Sequence, residues 1–477
     1  MSFGRLAGAV LGCFVIYKKV FSDITMSSEP LKFIDLFAGL GGFHYALKQL
    51  GCKCVFASEI RADLQQLYLR NFPDTNIHGD ITRISPADIP PHDILCAGFP
   101  CQPFSQAGKR EGFKDEERGN LFYNICNILE YHKPKYLLLE NVANLMGHDG
   151  GNTWNIIKTK LTEIGYGVKS EILSPHQFGI IPQHRKRIYI VGILRDKGNI
   201  GNYQFPQTRP ELQCDINKII DINDTNIQTL KPEIYHHLSV WQEFIDHIIE
   251  NNDRIPQFPI WAMEFGATYD YLNKVPAHQR LSEINGKRGA FGHVINGSSL
   301  NECLAQIPNY ARTGKDEHFP KWKNRYIEQN REFYRKHKKW LDRWLPKIES
   351  FKNSHQKFEW NCGIKASPTL EDKIIQYRAS GIRVKLPTFI PALNLVGTQI
   401  PIFPWVQLPN VCIVPGQPTK GRFLSVKEAA KLQGLHNLDF DYTVPGYPLS
   451  VTRIFEALGN AVNATLVKHI AKRLICL

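Results

Sequence analysis

A cysteine between two prolines, a glutamate closing an apolar run and two arginines opening another are the residues of this 477-residue chain best suited to chemistry. Cys101 lies in GFPCQPFSQAGKR (98–110), between Pro100 and Pro103 and just after the strand-like segment 93–97. A thiol in a stiff loop at the C-terminal end of a strand sits where α/β enzymes place a reacting group. Proline fixes its own φ and pushes the preceding residue toward extended geometry, so Phe99 and Gln102 are restrained as well. The competing reading is an inert cysteine in a tight turn, because cysteine is usually buried. Glu140 ends the apolar run 136–139 and should project from the same sheet edge as Cys101; its plainer reading is a helix cap or a surface ion pair. Arg185 and Arg187 lie in QHRKRIYIVG, where a phosphate contact or a solvated strand start would also account for them. Around one crevice, a thiol, a carboxylic acid and a guanidinium suit covalent activation of a heteroaromatic ring.

Positioning these groups requires strands and helices in alternation. Residues 33–37 (FIDLF) read as a strand, followed by a glycine turn over 38–42 and a helix through Leu50. Further strands are expected at 53–59, 94–97, 136–140 and 187–193, with helices at 62–71, 121–132 and 155–164. That alternation implies an α/β fold with a mostly parallel, doubly wound sheet. The glycine turn lets backbone approach a ligand, and Glu59 at the end of the next strand can accept ribose hydroxyls. Asp80, in GDIT, adds a polar anchor at a later edge. With no GxGxxG and no Walker lysine, an adenosine carrying a non-phosphate tail fits the turn better than a dinucleotide or a triphosphate.

After about residue 198 the alternation stops, and 199–420 reads as irregular, rich in Asn, Pro, Trp and Tyr. Within it, Trp322, Tyr326, Phe333, Trp340 and Trp344 recur at helical spacing, with Arg331, Arg335, Lys336, Lys338, Lys339 and Arg343 between them. Basic residues interleaved with aromatics can track a phosphate backbone, and an amphipathic helix with a solvated basic face has the same pattern. A helical pattern returns over 424–434 and 451–475. The net charge of +13 favours a polyanionic partner. The 11 cysteines are scattered without CxxC spacing, which points to a reducing, cytosolic setting without disulfides or structural zinc. The apolar run 6–17 is too short to span a bilayer and resembles a signal h-region, but no small-residue cleavage site follows it and MSSEPLKFIDLF from Met26 makes an ordinary start. Residues 1–25 are therefore expected to be an extension outside the working protein.

The segments FIDLFAGLGG, GDIT, GFPCQPFSQAGKR, RGNLF, ENV, QHRKRIYIVG, RFLSVKEAAKLQG and GNAV occur in an order that resembles the DNA (cytosine-5) methyltransferases, bacterial restriction–modification type. The resemblance is close over 31–198 and 420–477 and positional over 199–420. It implies a Rossmann-like, S-adenosylmethionine-dependent catalytic domain over 31–198, completed by a C-terminal helix at 450–477. A smaller, irregular target-recognition domain would occupy 199–449, and 1–30 would be an N-terminal extension. By the same similarity, S-adenosylmethionine would lie against Phe37, Gly39, Leu40 and Gly42, with Glu59 on its ribose and Ile60 beside it. Asp80 and Ile81 would hold the adenine, and Pro100, Leu121 and Asn460 the methionine end. Cys101 resembles the nucleophile, Glu140 the acid at N3 of the base, and Arg187 the stabiliser of the activated ring, with Arg185 a second candidate. No metal is implied.

The implied reaction is sequence-specific methylation of cytosine in double-stranded DNA. The implied setting is a monomer in the cytoplasm, without membrane association, paired in function with a restriction endonuclease. Two rivals stay open at this stage. One is the branch of the family that methylates transfer RNA, expected to have a shorter variable region and a Cys-Phe-Thr element. The other is a catalytically silent DNA-binding protein that keeps only the fold. The length of 199–420 and the apolar N-terminal tail depart from the compact family pattern.

Overall fold

The apolar runs predicted as strands are buried along almost their whole length, as strands covered on both faces must be. A computed structural model describes residues 29–100, 121–209, 212, 214–393 and 399–477; Cys101 and the 1–25 extension lie outside the described residues. The first strands are β1 (Lys32–Leu36), β2 (Lys53–Ser58), β3 (Ile77–His78), β4 (Ile94–Gly98), β5 (Tyr136–Val142), β6 (Tyr166–Leu173), β7 (Gln183–His184) and β8 (Arg187–Leu194). All but β7 join one sheet in the order β3-β2-β1-β4-β5-β8-β6. Strands β1 to β5 are mutually parallel, and β8 runs antiparallel to β5. The order reverses between β1 and β4, and ligand sites in open α/β sheets form outside the strand ends at such a switch point.

This sheet belongs to a unit whose described residues are 29–100, 121–172, 187–206 and 464–477. Leu36, Leu95, Leu137 and Ile190 from its strands join Ile125, Leu129, Ile157 and Leu161 from helices Leu121–His132 and Asn152–Glu163 in one apolar cluster. Helix Ala464–Ile475 packs on helix Gly42–Lys48, and Lys468 Nζ donates to Gln49 Oε1 at 2.8 Å. The expected helix over 451–475 is two helices, and its first part, Val451–Asn460, packs within the second unit. Strand β6 escapes prediction because only its first and last residues are buried, as befits a strand at the sheet edge.

The second unit comprises Leu173–Lys186 and Gln207–Asn463. Its order corrects the reading of 199–420 as irregular. A sheet in the order β15-β14-β11-β12-β10-β9 is built from β9 (Ile260–Trp261), β10 (Lys357–Asn361), β11 (Ile374–Arg378), β12 (Gly381–Lys385), β14 (Ile402–Gln407) and β15 (Lys420–Phe423), while β13 (Ile390–Pro391) pairs in parallel with β7. The strands are short and the β11–β12 hairpin turns without an Asn-Gly or Asp-Gly signal, so no period announces them. The predicted helix is present over Lys321–Glu349 and packs against helix Pro232–Glu250. Phe333, Trp340 and Trp344 point into that core with Trp241 and Phe244, while Trp322 is 51% exposed. Arg335 and Lys347 pair with Glu328 and Glu243 at 3.0 and 2.6 Å, and Lys336 and Lys338 with Asp253 and Asp342. The amphipathic reading accounts for this helix: most of its aromatics are core, and much of its charge is locally paired.

Two tight features sit under the first turn of the sheet. Gly41 has φ 75°, and a Cβ there would lie 2.4 Å from Phe72 Cε2 and 2.9 Å from Tyr68 Cε2. His44 stacks on Phe72 at 3.9 Å between centroids and shares a 2.7 Å hydrogen bond, through Nδ1, with the Tyr68 hydroxyl. Burial, helped by Lys48, lowers its pKa from the ordinary 6.5 to about 3. Beside it, burial raises the pKa of the fully buried Asp35 carboxyl well above the usual range, opposed by the His44 amide that donates to it.

Gly41→Ala should cost about 1–3 kcal/mol in urea denaturation, because both the space and the backbone conformation oppose a side chain. Gly39→Ala, with φ 54° but only Phe37 O at 3.9 Å, is the milder control. If the two variants were equally stable, the packing argument would fail. His44 takes a proton far more readily unfolded than folded, so its contribution is complete above its ordinary pKa and is lost as pH falls toward 3. Stability measured at about pH 7.5 and about pH 5 should fall by about 2 kcal/mol more in the wild type than in His44→Gln. Equal losses would refute the assignment of a neutral His44.

Candidate active site

Because β1, β2, β4 and β5 are parallel, their C-terminal ends open on one edge, and antiparallel β8 begins there. At the end of β1 the chain turns through Phe37 and Gly39, both left-handed (φ 57° and 54°). Ala38 N donates to Ser58 O at 2.9 Å, which ties this turn to β2. Glu59 follows β2 and is buried. Its two carboxylate oxygens accept from Gly39 N and Arg61 N, each at 2.9 Å, so its position is set by backbone. Each oxygen keeps a lone pair for a further hydroxyl donor. Ile60 is 69% exposed beside it, whereas Leu40 and Gly42 are buried in the turn and the helix start. Asp80 caps the turn Ile81–Arg83, accepting from Thr82 N and Oγ1 at 3.0 and 2.8 Å, and Ile81 is buried beneath. A buried acceptor held by a close backbone turn suits a nucleoside ribose, so these residues fit the cofactor their sequence implies.

Two of the catalytic candidates, Glu140 and Arg187, meet where β5 lies beside β8. In the parallel β4–β5 register Gly98 stands opposite Glu140, and Cys101 follows Gly98 by three residues in sequence. In the β5–β8 register Val142 faces Arg187, which puts Arg187 on the same sheet face as Glu140. Arg187 Nε lies 3.2 Å from Glu140 Oε1, both side chains largely buried. Asn141, unremarked in the sequence reading although it is the middle residue of ENV, is buried and donates from Nδ2 to Phe99 O at 2.9 Å. It thereby fastens Phe99, two residues before Cys101 in sequence, to the end of β5. Phe99 also meets Phe122 at 5.8 Å between centroids, next to Leu121 at the start of its helix; Pro100 is exposed.

Arg185 belongs to the second unit, where it is buried and donates to Gly459 O and Ala461 O at 2.8 and 2.7 Å. Those carbonyls flank Asn460, an exposed residue at the C-terminal end of helix Val451–Asn460, so Arg185 serves as the cap of that helix. Arg187, not Arg185, makes the ion pair with Glu140. The RFLSVKEAAKLQG run also has an architectural explanation. Arg422 and Glu428, both 0% exposed, form a two-pronged ion pair at 2.9 and 2.6 Å. Ser425 and Glu428 cap each other at the start of helix Val426–Leu432. Among the described residues no helix is long and apolar enough to cross a membrane.

Comparison with known proteins agrees with this geometry. Type II methyltransferase M.BsuFI of Bacillus subtilis is 39% identical over 272 residues, 57% of this chain and 62% of that protein. M.HhaI of Haemophilus parahaemolyticus is 47% identical over 177 residues, 37% of this chain and 53% of that protein. These two matches thus span less than two thirds of the relatives' own length. M.AluI of Cellulosimicrobium cellulans is 30% identical across 94% of this chain and 92% of that protein. The family described as C-5 cytosine-specific DNA methylase matches residues 31–476. An α/β sheet with its motif residues on one edge, and a match over nearly the whole chain, have one reading: the chain belongs to the C-5 cytosine-specific DNA methylase family.

Proposed function

We propose that this protein uses S-adenosylmethionine to methylate C5 of a cytosine flipped out of duplex DNA, through a covalent adduct on Cys101. The observation that carries the reading is the Glu140–Arg187 pair opposite the strand end that leads into Cys101. C5 of cytosine is too weak a nucleophile to take a methyl group unaided. A Cys101 thiolate adding to C6 pushes an electron pair onto C5, and a proton held by Glu140 at N3 assists that addition. Arg187 orients Glu140 and stabilises the activated ring. The electron pair at C5 takes up the methyl group; water then accepts the C5 proton, the C5–H bonding pair re-forms the C5–C6 double bond, and the C6–S bond breaks to release the Cys101 thiolate. When bound, S-adenosylmethionine supplies an electrophilic methyl on a positively charged sulfur. Phe37, Gly39, Leu40, Gly42, Glu59, Ile60, Asp80, Ile81, Pro100, Leu121 and Asn460 are the residues proposed to hold it. Arg185 would act on it only indirectly, by fixing the backbone around Asn460.

The target carbon is inaccessible in a stacked duplex, so the base must leave the helix at a cost of a few kcal/mol. The net charge of +13 supports a DNA partner, and the second unit is the proposed source of recognition contacts. In this reading the catalytic domain includes 464–477 in place of all of 450–477. The protein acts as a cytoplasmic monomer whose methylation shields DNA from a partner endonuclease.

Purified protein given labelled S-adenosylmethionine should label duplex DNA as 5-methylcytosine and leave transfer RNA unlabelled. It should form a covalent complex with duplex containing 5-fluorocytosine. Cys101→Ala should abolish both while still binding the cofactor, and Glu140→Gln should slow turnover by about 10²–10⁴-fold. Labelling of transfer RNA alone, or turnover by Cys101→Ala, would sink the reading. Duplex affinity should fall steeply between about 50 and about 200 mM salt as phosphate contacts release counterions; a flat response would remove DNA backbone binding from the account.

A further inference from the structure

We propose that Glu233, His237 and His355 form a divalent transition-metal site of the zinc class in the second unit. The site would join the first turn of helix Pro232–Glu250 to the turn that precedes β10, a role separate from methyl transfer. One ligand atom from each residue lies within 4.8 Å of the others. The i,i+4 spacing puts Glu233 and His237 on one helix face, with Glu233 Oε1 3.7 Å from His237 Nε2. Metal–nitrogen and metal–oxygen bonds of about 2.0–2.2 Å bring tetrahedral ligand atoms to about 3.4 Å apart. The contraction this requires falls on the exposed Glu233 and the half-buried His355, leaving His237 in place.

Three further observations point the same way. His237 is buried and its Nδ1 faces the Tyr377 hydroxyl at 3.5 Å, so the ring presents Nε2 to Glu233. A metal-bound histidine characteristically has its other nitrogen engaged in this manner. His355 Nδ1 is buried with no hydrogen-bond partner among the described residues, an acceptor left unsatisfied unless a ligand meets it. The two imidazoles meet edge to face with centroids 4.8 Å apart.

Burial also works against protonation of both rings. Burial, then His355, with His236 and Lys352 adding to it and Glu233 opposing, lowers the His237 pKa to about 4. Burial and Lys352 lower that of His355, again against Glu233. Two imidazoles and one carboxylate suit zinc, cobalt or nickel, not calcium or magnesium, and leave a fourth position for water. Cysteine spacing cannot reveal such a site, because none of its ligands is a cysteine. The alternative is a packed ring cluster with Phe351, 4.2 Å from His237, and Tyr377.

The test is titration of the chelator-treated full-length protein with Co²⁺ and then Zn²⁺. One equivalent of Co²⁺ should bind with the intense visible bands of a tetrahedral centre, without thiolate charge-transfer absorption, and Zn²⁺ should displace it. Zn²⁺ should raise the melting temperature of the wild type. His237→Gln and His355→Gln should each bind about tenfold or more weakly, and the exposed His278→Gln should bind as wild type. Glu233→Gln, on an exposed side chain, covers the case in which a histidine variant misfolds, and it too should weaken binding. No tetrahedral cobalt spectrum, or undiminished binding by a folded Glu233→Gln together with the histidine variants, would overturn the proposal.

Discussion

The direction of β8 is the constraint on which the candidate site rests. Running antiparallel to β5, it brings its first residue, Arg187, to the edge where the parallel strands end, opposite Val142 and beside Glu140. A parallel β8 would have placed Arg187 at the opposite edge. Two charges of opposite sign are then buried together, each of which would cost several kcal/mol to bury alone. Asn141, on the other face of β5, turns the same strand end into an anchor for Phe99. Glu59 does the equivalent at the end of β2, where two backbone amides hold a carboxylate against the first turn.

The second unit uses buried charge for architecture. Glu264 accepts from Arg331 Nε at 2.9 Å and from the hydroxyls of Tyr269 and Tyr310, and the Arg331 guanidinium lies over the Tyr269 and Tyr271 rings. Arg331 stands in a run of basic residues that reads as a surface face, yet it is turned inward and paired. Arg422 and Glu428 repeat the device at the start of helix Val426–Leu432, where Glu428 also accepts from Asp221 N at 2.7 Å. Each pair clamps segments distant in sequence, which explains why charged residues occur in motifs that need not meet a substrate.

Much of the first unit was legible without coordinates. β1, β2, β4, β5 and β8, and the helices at 62–71 and 121–132, appear in the sequence as apolar runs and helical patterns punctuated by glycine and polar turns. Local periodicity suffices there because parallel strands buried on both faces carry long apolar runs. Glu140 at the end of such a run was readable for the same reason. The strands of the second unit were not, because they are short and most of their order comes from pairing with segments distant in sequence, such as β9 with β10 and β11 with β14.

Residue types, their order and their spacing thus determined the family, the α/β class and the short set of groups able to do chemistry. Only the tertiary structure decided which arginine meets Glu140, that Asn141 holds Phe99, that Arg185 caps a helix, and that Glu233, His237 and His355 converge. Strand direction and long-range packing set those relations, and neither is written in any local window of the chain.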